Sequence, residues 1–259
     1  MKVTIVTPSF NQGSFIERTV ESVLSQRGDF ELDYLVMDGD STDETLSILR
    51  RHEGRLHVVS EKDRGQSDAI NKGFRMASGE VLAWINSDDT YEPGALQAAL
   101  SAMQKAGARW CFGECRIVDE QGREVRRSIS RYKNRLSRRY SLRRLLSRNF
   151  IPQPATFFRR DLLEEAGPLD ESLHYAMDYD LWLRFARLAE PVFVPRPLAS
   201  FRWHGAAKTA GRYRVAAWEC FRIARGRARP GERLAVAQHL LHYGAQMAVY
   251  GAMDLWRAP

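Results

Sequence analysis

The feature that most constrains the fold is a regular alternation of strand and helix signals over the first 122 residues. Short apolar runs rich in β-branched residues are each followed by a segment with helical periodicity. The runs that predict strands are residues 2–7, 34–37, 56–60, 81–85 and 110–118. Alternation at this spacing favours βαβ units, so we expect an α/β fold with a mainly parallel, Rossmann-like sheet.

Helical periodicity fills the segments between these runs and continues through the second half of the chain. Ser41 and Glu44 have the spacing of a capping box, which predicts that a helix begins there and ends near Arg51. The other predicted helices are 15–26, 66–76, one opened by Pro93, one from Asp161, 178–188, 212–225 and 231–255, with short strands near Val192 and Ser200.

Length and composition limit the class of protein. With 259 residues, the chain is long enough to bury a core without disulfide bonds. The ordinary hydrophobic (44%) and charged (27%) fractions exclude a wholly disordered or collagen-like chain. Lys and Arg outnumber Asp and Glu by 39 to 32, and this surplus favours anionic partners without choosing among nucleotides, nucleic acid and acidic lipid.

The alternation stops after Gly122, where a strongly basic insert begins. Residues 123–148 contain eleven Lys and Arg and one acidic residue, Glu124. Such a segment predicts contact with an anionic acceptor, contact with acidic lipid headgroups, or a solvated surface. No nucleic-acid-binding motif accompanies it, so we expect no nucleic-acid partner. Polar residues interrupt the apolar stretch 234–256, so we expect it to pack in the core or against a second copy rather than to span a membrane.

Polar side chains follow each of the first four predicted strands. They are Ser9 and Asn11 after the first, Asp38 after the second, 63–66 after the third, and Asp88 with Asp89 after the fourth. The carboxyl ends of parallel strands lie along one edge of a sheet, which is where ligands bind in such folds. Adjacent carboxylates repel each other unless a cation lies near, and their oxygens suit Mg²⁺ or Mn²⁺. This edge is therefore the predicted functional site.

Five sequence motifs together resemble the inverting glycosyltransferases of family 2, which have the glycosyltransferase A fold. The motifs occur in the order found in that family and extend over about residues 2–205. They are Val6-Thr-Pro-Ser-Phe-Asn-Gln12, Val36-Met-Asp-Gly-Asp-Ser-Thr-Asp-Glu-Thr45, Ser60-Glu-Lys-Asp-Arg-Gly65 with Asp68-Ala-Ile-Asn-Lys-Gly73, Gly79-Glu-Val-Leu-Ala-Trp-Ile-Asn-Ser-Asp-Asp89, and Met177-Asp-Tyr-Asp-Leu-Trp182.

The resemblance implies a role for each matching residue. Asp178 would be the catalytic base, and Asp89 and His204 would bind a divalent cation, Mn²⁺ or Mg²⁺. Many members have Asp-Asp-Gly-Ser where this chain has Asp38-Gly39-Asp40-Ser41, a departure that bears on nucleobase preference. The implied nucleotide contacts are Thr7, Pro8, Phe10, Asp38, Asp63, Arg64, Asp68, Asn71, Asp88 and Lys208.

The resemblance also implies the reaction and the division of the chain. A sugar would pass from a nucleoside-diphosphate sugar, most naturally UDP-linked, to an acceptor hydroxyl of a glycan or lipid-linked acceptor in cell-surface polysaccharide or glycoconjugate synthesis. A carboxylate would take the proton of the hydroxyl in a single displacement. The chain would comprise a donor-binding half (1–122), the basic insert (123–150), an acceptor and catalytic-base half of the same domain (151–205) and a C-terminal helical extension (206–259).

Several alternatives stay open at this point. An acid at the start of a helix, such as Asp178, also serves as a cap, and Asp180 is the weaker candidate base, with a contact to Arg184 as its other role. A nucleotidyltransferase is disfavoured because 8–13 is neither basic nor rich in glycine, and a catalytically silent sugar-nucleotide-binding module is disfavoured because Asp178 is retained. We expect a cytoplasmic protein, with a peripheral position on the inner face of the membrane as an open alternative.

Overall fold

The computed structural model describes residues 1–205, Lys208 and 212–255, and in this part of the chain the strands form one eight-stranded sheet. The strand order is β3-β2-β1-β4-β7-β6-β8-β5. The strands are β1 (Lys2–Ser9), β2 (Glu31–Asp38), β3 (His57–Ser60), β4 (Val81–Trp84), β5 (Thr90–Tyr91), β6 (Trp110–Val118), β7 (Thr156–Arg159) and β8 (Val192–Arg202). The helices are α1 (Ile16–Leu24), α2 (Thr45–Arg50), α3 (Gln66–Met76), α4 (Ala95–Ala106), α5 (Arg127–Ser137), α6 (Leu142–Ser147), α7 (Arg160–Ala166), α8 (Met177–Leu188), α9 (Tyr213–Arg227) and α10 (Arg233–Leu255).

The first four predicted strands form the parallel part of the sheet, as expected. β1 pairs in parallel with both β2 and β4, and β2 pairs in parallel with β3. The register places Ser9 opposite Asp38 and Asp38 opposite Ser60, so three strand ends are level with one another. This alignment gives the carboxyl edge on which the functional residues were predicted.

The other part of the sheet is mixed, which the sequence did not predict. β7 is antiparallel to both β4 and β6, and β5 is antiparallel to β8. Because β7 comes from the second half of the chain and lies between two strands of the first, both halves share one sheet. β8 is a single strand where two short ones were predicted, and the register shifts opposite Pro195 and Pro197, which supply no backbone N–H for pairing.

An aromatic cluster fixes α8 against one face of the sheet. The ring of Trp182 stacks on Trp84 of β4 at 5.4 Å and on Trp110 of β6 at 6.0 Å, measured between centroids. Phe158 of β7 and Phe185 of α8 complete the contact at 5.0 Å. Stacked and edge-to-face rings add stability beyond the area that they bury. The N-terminal end of α8, which carries Asp178, is therefore attached to a rigid part of the core.

The basic insert is folded into two helices, α5 and α6, rather than forming a solvated loop. Ser130 and Ser137 of α5 are buried, and Leu136 packs against the main core cluster. The hydroxyl of Tyr179 in α8 donates a hydrogen bond to the carbonyl of Leu145 in α6 at 2.8 Å. The insert is thus joined to the residue that follows Asp178.

The C-terminal helices α9 and α10 pack on α6 and α8. His239 Nδ1 lies 2.9 Å from the carbonyl oxygen of Leu146, which joins α10 to the insert. Within the residues that the structure describes, no helix has the length and apolar character needed to cross a bilayer. Association of two copies through these helices stays a prediction, for which Val215, Trp218 and Leu241 offer exposed apolar side chains.

Candidate active site

Asp38 lies at the carboxyl edge of the sheet, where the ends of β1, β2 and β3 are aligned. Its carboxylate accepts hydrogen bonds from neighbouring residues. Its Oδ2 accepts hydrogen bonds from the Ser41 N–H at 3.0 Å and the Ser60 hydroxyl at 2.7 Å, and its Oδ1 accepts from the Ser41 hydroxyl at 2.5 Å. The Ser41 hydroxyl is therefore used by Asp38, and the predicted capping box is wrong: α2 begins only at Thr45, without a side-chain cap. Asp38 is preorganised, and one acceptor position of Oδ1 is left for a ligand.

Phe10, Gly39 and Asp63 form a cleft wall beside Asp38. A Cβ atom on residue 39 would lie 2.6 Å from Asp63 Oδ2 and 3.4 Å from the Phe10 ring, so a larger residue here would displace the Asp63 carboxylate. The Phe10 ring is 59% exposed, as a ring that stacks on a nucleobase needs to be. Asp40 adopts a left-handed backbone (φ 68°), which Asp tolerates better than most residues. The departure from Asp-Asp-Gly-Ser thus preserves the turn.

Four predicted nucleotide contacts have other partners. The Thr7 hydroxyl pairs with Tyr34, and the Asn71 amide holds the Leu169 backbone through its oxygen (3.0 Å) and its nitrogen (2.9 Å). Thr7, Pro8, Asp68 and Asn71 are all buried, whereas Arg64 is exposed and pairs with Glu171 at 2.7 Å. Asp68 is also paired with Arg64 and Lys72, and despite its burial their hydrogen bonds and charges lower its pKa.

Three of these four residues are buried. The side chains of Thr7, Asp68 and Asn71 are bonded to other parts of the protein, and their predicted contact with the nucleotide stays a prediction. Pro8 is buried directly before the cleft wall, and its predicted contact stays a prediction.

Asp88 and Asp89 have different surroundings. Asp88 is half-buried, and its Oδ2 lies 2.9 Å from Nε2 of His204. Asp89 is fully buried; its Oδ1 accepts the Arg202 N–H at 2.9 Å and its Oδ2 accepts from Asn86 at 3.3 Å. Burial, together with the negative charge of Asp88, raises the pKa of Asp89 well above its usual value. The structure brings Asp88, not the predicted ligand Asp89, beside His204.

The Asp88 carboxylate is an oxygen ligand of the kind that suits Mn²⁺ or Mg²⁺, and the imidazole of His204 beside it offers a nitrogen donor. Within the described residues there is no group of three or more acidic, His or Cys side chains that could hold a metal ion. The two side chains therefore fit a cation only if substrate oxygens complete its coordination, as phosphates commonly do for Mg²⁺. Asp89 contributes indirectly, because its bond to the backbone of Arg202 fixes the end of β8 that leads to His204.

A chain of hydrogen-bonded amide side chains connects Lys208 to the end of β4. Lys208 Nζ donates to Gln66 Oε1 at 2.8 Å, and Gln66 Nε2 donates to Asn86 Oδ1 at 2.7 Å. Asn86 Nδ2 in turn lies 3.2 Å from Gln153 Oε1, whose Nε2 donates to the Trp84 carbonyl at 2.7 Å. Lys208 therefore has a contact on the donor side, and neighbouring residues of the predicted phosphate loop lie outside the described part of the chain.

Asp178 stands in the first turn of α8. Burial raises the pKa of its carboxyl to about 6, although the Tyr179 N–H bond and the positive charge of Lys133 act in the opposite direction. Asp180, two residues on, is held by Arg184 at 2.9 Å and by Arg227 at 2.7 Å, one on each carboxylate oxygen. Asp180 makes the predicted contact with Arg184, which leaves Asp178 as the carboxylate of this motif with the pKa of a general base.

The surroundings of Asp178 come from parts of the chain that the sequence did not connect. Lys133 of α5 and Lys208 both interact electrostatically with its carboxylate, and so do Glu219 and Cys220 of α9. No periodicity or motif in the sequence predicts these contacts, because they depend on how the insert and the C-terminal helices pack. A search for charged residues in those helices would have found candidate residues, but it would not have shown that they lie near Asp178.

The arrangement of the sheet matches that of solved nucleotide-sugar enzymes. S. aureus TarS 1-349 in complex with UDP-GlcNAc superposes with a TM-score of 0.70 at 18% identity, over 93% of this chain and 72% of that chain. The mannosyltransferase PcManGT from Pyrobaculum calidifontis, in complex with GDP-Man and Mn²⁺, gives a TM-score of 0.66 at 18% identity over 98% and 81%. The fold is therefore that of the glycosyltransferase A type, as expected from the sequence.

The family follows from the sequence comparison. The model of glycosyl transferase family 2 matches residues 4–167, and the chain belongs to this family. An uncharacterised glycosyltransferase of Mycobacterium tuberculosis is 32% identical over 205 residues, 77% of this chain and 74% of that protein. One of Rickettsia prowazekii is 26% identical over 215 residues, 80% of this chain and 65% of its own length. The family match ends before Asp178 and His204.

Proposed function

We propose that this glycosyltransferase transfers a hexose from a nucleoside-diphosphate sugar, UDP-linked by preference, to a hydroxyl of a glycan or lipid-linked acceptor with inversion at the anomeric carbon. The single observation that carries the proposal is the position of Asp178 in the first turn of α8, where Oδ1 of its half-buried carboxyl accepts the Tyr179 N–H and desolvation raises its pKa. The acceptor would belong to cell-surface polysaccharide or glycoconjugate synthesis. The complexes of TarS with UDP-GlcNAc and of PcManGT with GDP-Man support a nucleotide-sugar donor.

The donor would bind along the level strand ends. The exposed Phe10 ring would stack on the base, and Asp38 with Asp63 would accept hydrogen bonds from base and ribose. Arg64 lies at the edge of this cleft, and Lys208 would contact the diphosphate, since its ammonium is the cation bonded to the donor-side amide chain.

Asp88 and His204 would hold a divalent cation together with oxygens of the donor diphosphate. The Asp88 carboxylate and the diphosphate oxygens would be the oxygen ligands that suit Mn²⁺ and Mg²⁺, with His204 at 2.9 Å from Asp88 as a nitrogen donor. When bound, such a cation would neutralise the negative charge that develops on the departing nucleoside diphosphate. Asp89 would keep β8 in place from below, since its own carboxylate has no exposed surface.

Asp178 would act on the acceptor. As the hydroxyl oxygen attacks the anomeric carbon, the bond from that carbon to the diphosphate oxygen breaks and leaves its electron pair on the diphosphate. The hydroxyl proton passes to Oδ2 of Asp178, because Oδ1 already accepts the Tyr179 N–H at 2.7 Å. A pKa of about 6 keeps most of the base ionised near neutral pH while retaining its proton affinity.

The insert would place the enzyme beside an anionic membrane. Arg131, Arg135 and Arg139 are exposed, and none of them has a carboxylate partner within the described residues. Ile129 and Tyr132 of the same helix are exposed apolar side chains. Cationic residues next to apolar ones favour binding at the surface of acidic lipid bilayers. A cytoplasmic enzyme with a peripheral position on the inner face of the membrane would meet a lipid-linked acceptor there.

The test of this proposal is a thermal-shift screen of the wild type and of Asp178→Asn with UDP- and GDP-sugars, each with and without Mn²⁺, followed by transfer assays with the donor that binds. A ligand that binds the native state raises the melting temperature. We expect Mn²⁺-dependent stabilisation of both proteins and transfer by the wild type alone.

Two outcomes would contradict the proposal. Full transfer by Asp178→Asn would remove the assigned base, and donor binding without transfer by the wild type to any glycan or lipid-linked acceptor would favour a silent binding module. Asp161→Asn is the matched control, since Asp161 is an exposed acid on α7 that pairs with Arg109 and Arg159.

A further inference from the structure

One carboxylate of α9 is bonded to the backbone just before the catalytic helix. Glu219 Oε1 accepts the N–H of His174 at 3.1 Å, and Oε2 accepts the N–H groups of Tyr175 at 2.6 Å and Ala176 at 2.7 Å. Met177 begins α8 directly after these residues, and Asp178 follows. Hydrogen bonds from N–H groups to an ionised carboxylate are about twice as strong as neutral ones. A single side chain therefore fixes three consecutive peptide units.

The same helix also contacts α8 further along. Arg227 Nε donates to Asp180 Oδ1 at 2.7 Å, so α9 is bonded to α8 on both sides of Asp178. At the other end of α8, Arg187 NH1 donates to Glu232 Oε1 at 2.6 Å. Glu219 bonds to the residues directly before α8, whereas Arg227 and Glu232 bond to residues within the helix.

We propose that Glu219 is a positioning residue for Asp178, which it places by anchoring the backbone of residues 174–176 to the C-terminal extension. The inference rests on the proposed function of Asp178 as the base. Proton transfer requires the base within hydrogen-bond reach of the attacking hydroxyl, and a shift of about 1 Å can lower the rate about 100-fold. The part of the chain beyond the family match would thus contribute one residue, Glu219, that positions the base.

The charges around Asp178 supply a second readout. Lys133 of α5 and Lys208 carry positive charge near Asp178, whereas Glu219 of α9 carries negative charge. The negative charge of Glu219 favours the protonated form of Asp178. Removing that charge should therefore lower the pKa of the base, and a purely structural contact would not predict this direction.

The experiment compares Glu219→Ala and Glu219→Gln with Glu232→Ala as the matched control. Glu232 is also a carboxylate of the extension, but it bonds to the far end of α8. For Glu219→Ala we expect backbone amide exchange at 174–176 to become about tenfold faster or more, since each amide loses a charged acceptor. We expect kcat to fall about 10- to 100-fold with an unchanged donor KM.

For Glu219→Gln we expect partial recovery of slow exchange and of kcat, because one carbonyl oxygen remains, and an acid limb of the pH profile displaced to lower pH. For Glu232→Ala we expect lower thermal stability with wild-type exchange at 174–176 and wild-type kcat. Unchanged exchange in Glu219→Ala, or equal loss of kcat in Glu219→Ala and Glu232→Ala, would overturn the inference. Faster exchange together with undiminished transfer by Asp178→Asn would instead overturn the assignment of the base.

Discussion

The donor half and the remainder of the chain differ in the sign of their charge. Residues 1–122 contain 13 Lys and Arg against 20 Asp and Glu, a formal charge of −7, whereas residues 123–259 contain 26 against 12, a charge of +14. A nucleoside diphosphate is itself an anion, so an acidic half repels it unless cations lie nearby. A donor bound at the strand ends, as proposed, would therefore need a divalent cation and basic residues of the second part of the chain to offset the acids of the first.

The two halves also differ in how their charged side chains are bonded. Three acids of residues 1–122 have partners within the protein: Asp38 is bonded to serines, Asp68 of α3 to Arg64 and Lys72, and Asp89 to backbone. In the insert, the described residues include several exposed cations without a carboxylate partner. Under the proposed function, the donor side would thus be organised before a ligand binds, and the insert would keep charge available for an anionic partner. The following predictions test that contrast.

Asp178→Asn should give the largest effect, because it removes the base without changing the shape of the site. We expect kcat to fall about 10²- to 10⁴-fold, with the dissociation constant for the donor unchanged. Single-turnover transfer assays and calorimetric titration of the donor measure the two quantities, with Asp161→Asn as control. A parallel loss of donor affinity would contradict this contrast, because it would show that the acceptor half also contributes to the donor site.

The pH dependence of kcat/KM should follow the raised pKa of Asp178. Only the ionised carboxylate can accept a proton, so the rate should fall about tenfold per unit as pH decreases below about 6 and be level above it. Initial rates between pH 4.5 and 8, with donor binding measured in parallel, check this limb. An acid limb that appears in donor binding rather than in kcat would place the titrating group in the donor half.

Substitutions of Asp88 and Asp89 should have different effects: the first on cation binding and the second on stability. For Asp88→Ala we expect the gain in donor affinity on adding Mn²⁺ to shrink at least about tenfold, with little change in melting temperature. For Asp89→Ala we expect a loss of about 1–3 kcal/mol in unfolding free energy, because the buried Arg202 N–H loses its acceptor. Titrations with and without Mn²⁺ and denaturant unfolding measure these changes.

His204→Ala should resemble Asp88→Ala. The control His57→Ala, at the start of β3 and away from the strand ends, should change neither the Mn²⁺ effect on donor affinity nor the stability.

The smallest effect is expected at the membrane surface. Replacing Arg131, Arg135 and Arg139 together by Gln should weaken binding to vesicles with 30% anionic lipid by about 1 kcal/mol per residue, less at high salt. Vesicle sedimentation measures the partition. A control that removes the same charge from the donor half, Arg50, Arg75 and Lys105 to Gln, should bind like the wild type. Equal weakening by both triple variants would mean that net charge, not the insert, determines binding.

Much of the donor side was predictable from sequence. The bounds of α3 and β6 agree with the predicted segments, and the strand ends that carry Asp38 and Asp88 lie where alternation placed them. These features depend on local periodicity and on residues close in sequence. β7 was missed because Pro152 and Pro154 directly before it favour an extended connector, and the two helices of the insert were missed because its basic composition also suits a solvated loop.

The sequence alone determined the class of this protein: parallel strands ending in acids, and a carboxylate at the start of a late helix. The tertiary structure determined the surroundings of each acid, and with them its proposed role. Asp88 and Asp89 are neighbours with the same side chain, yet only Asp88 reaches His204, because Asp89 is turned into the core under β8. Likewise, Asp178 owes its raised pKa to burial, and its anchoring to Glu219 of a distant helix, neither of which is encoded at any fixed spacing along the chain.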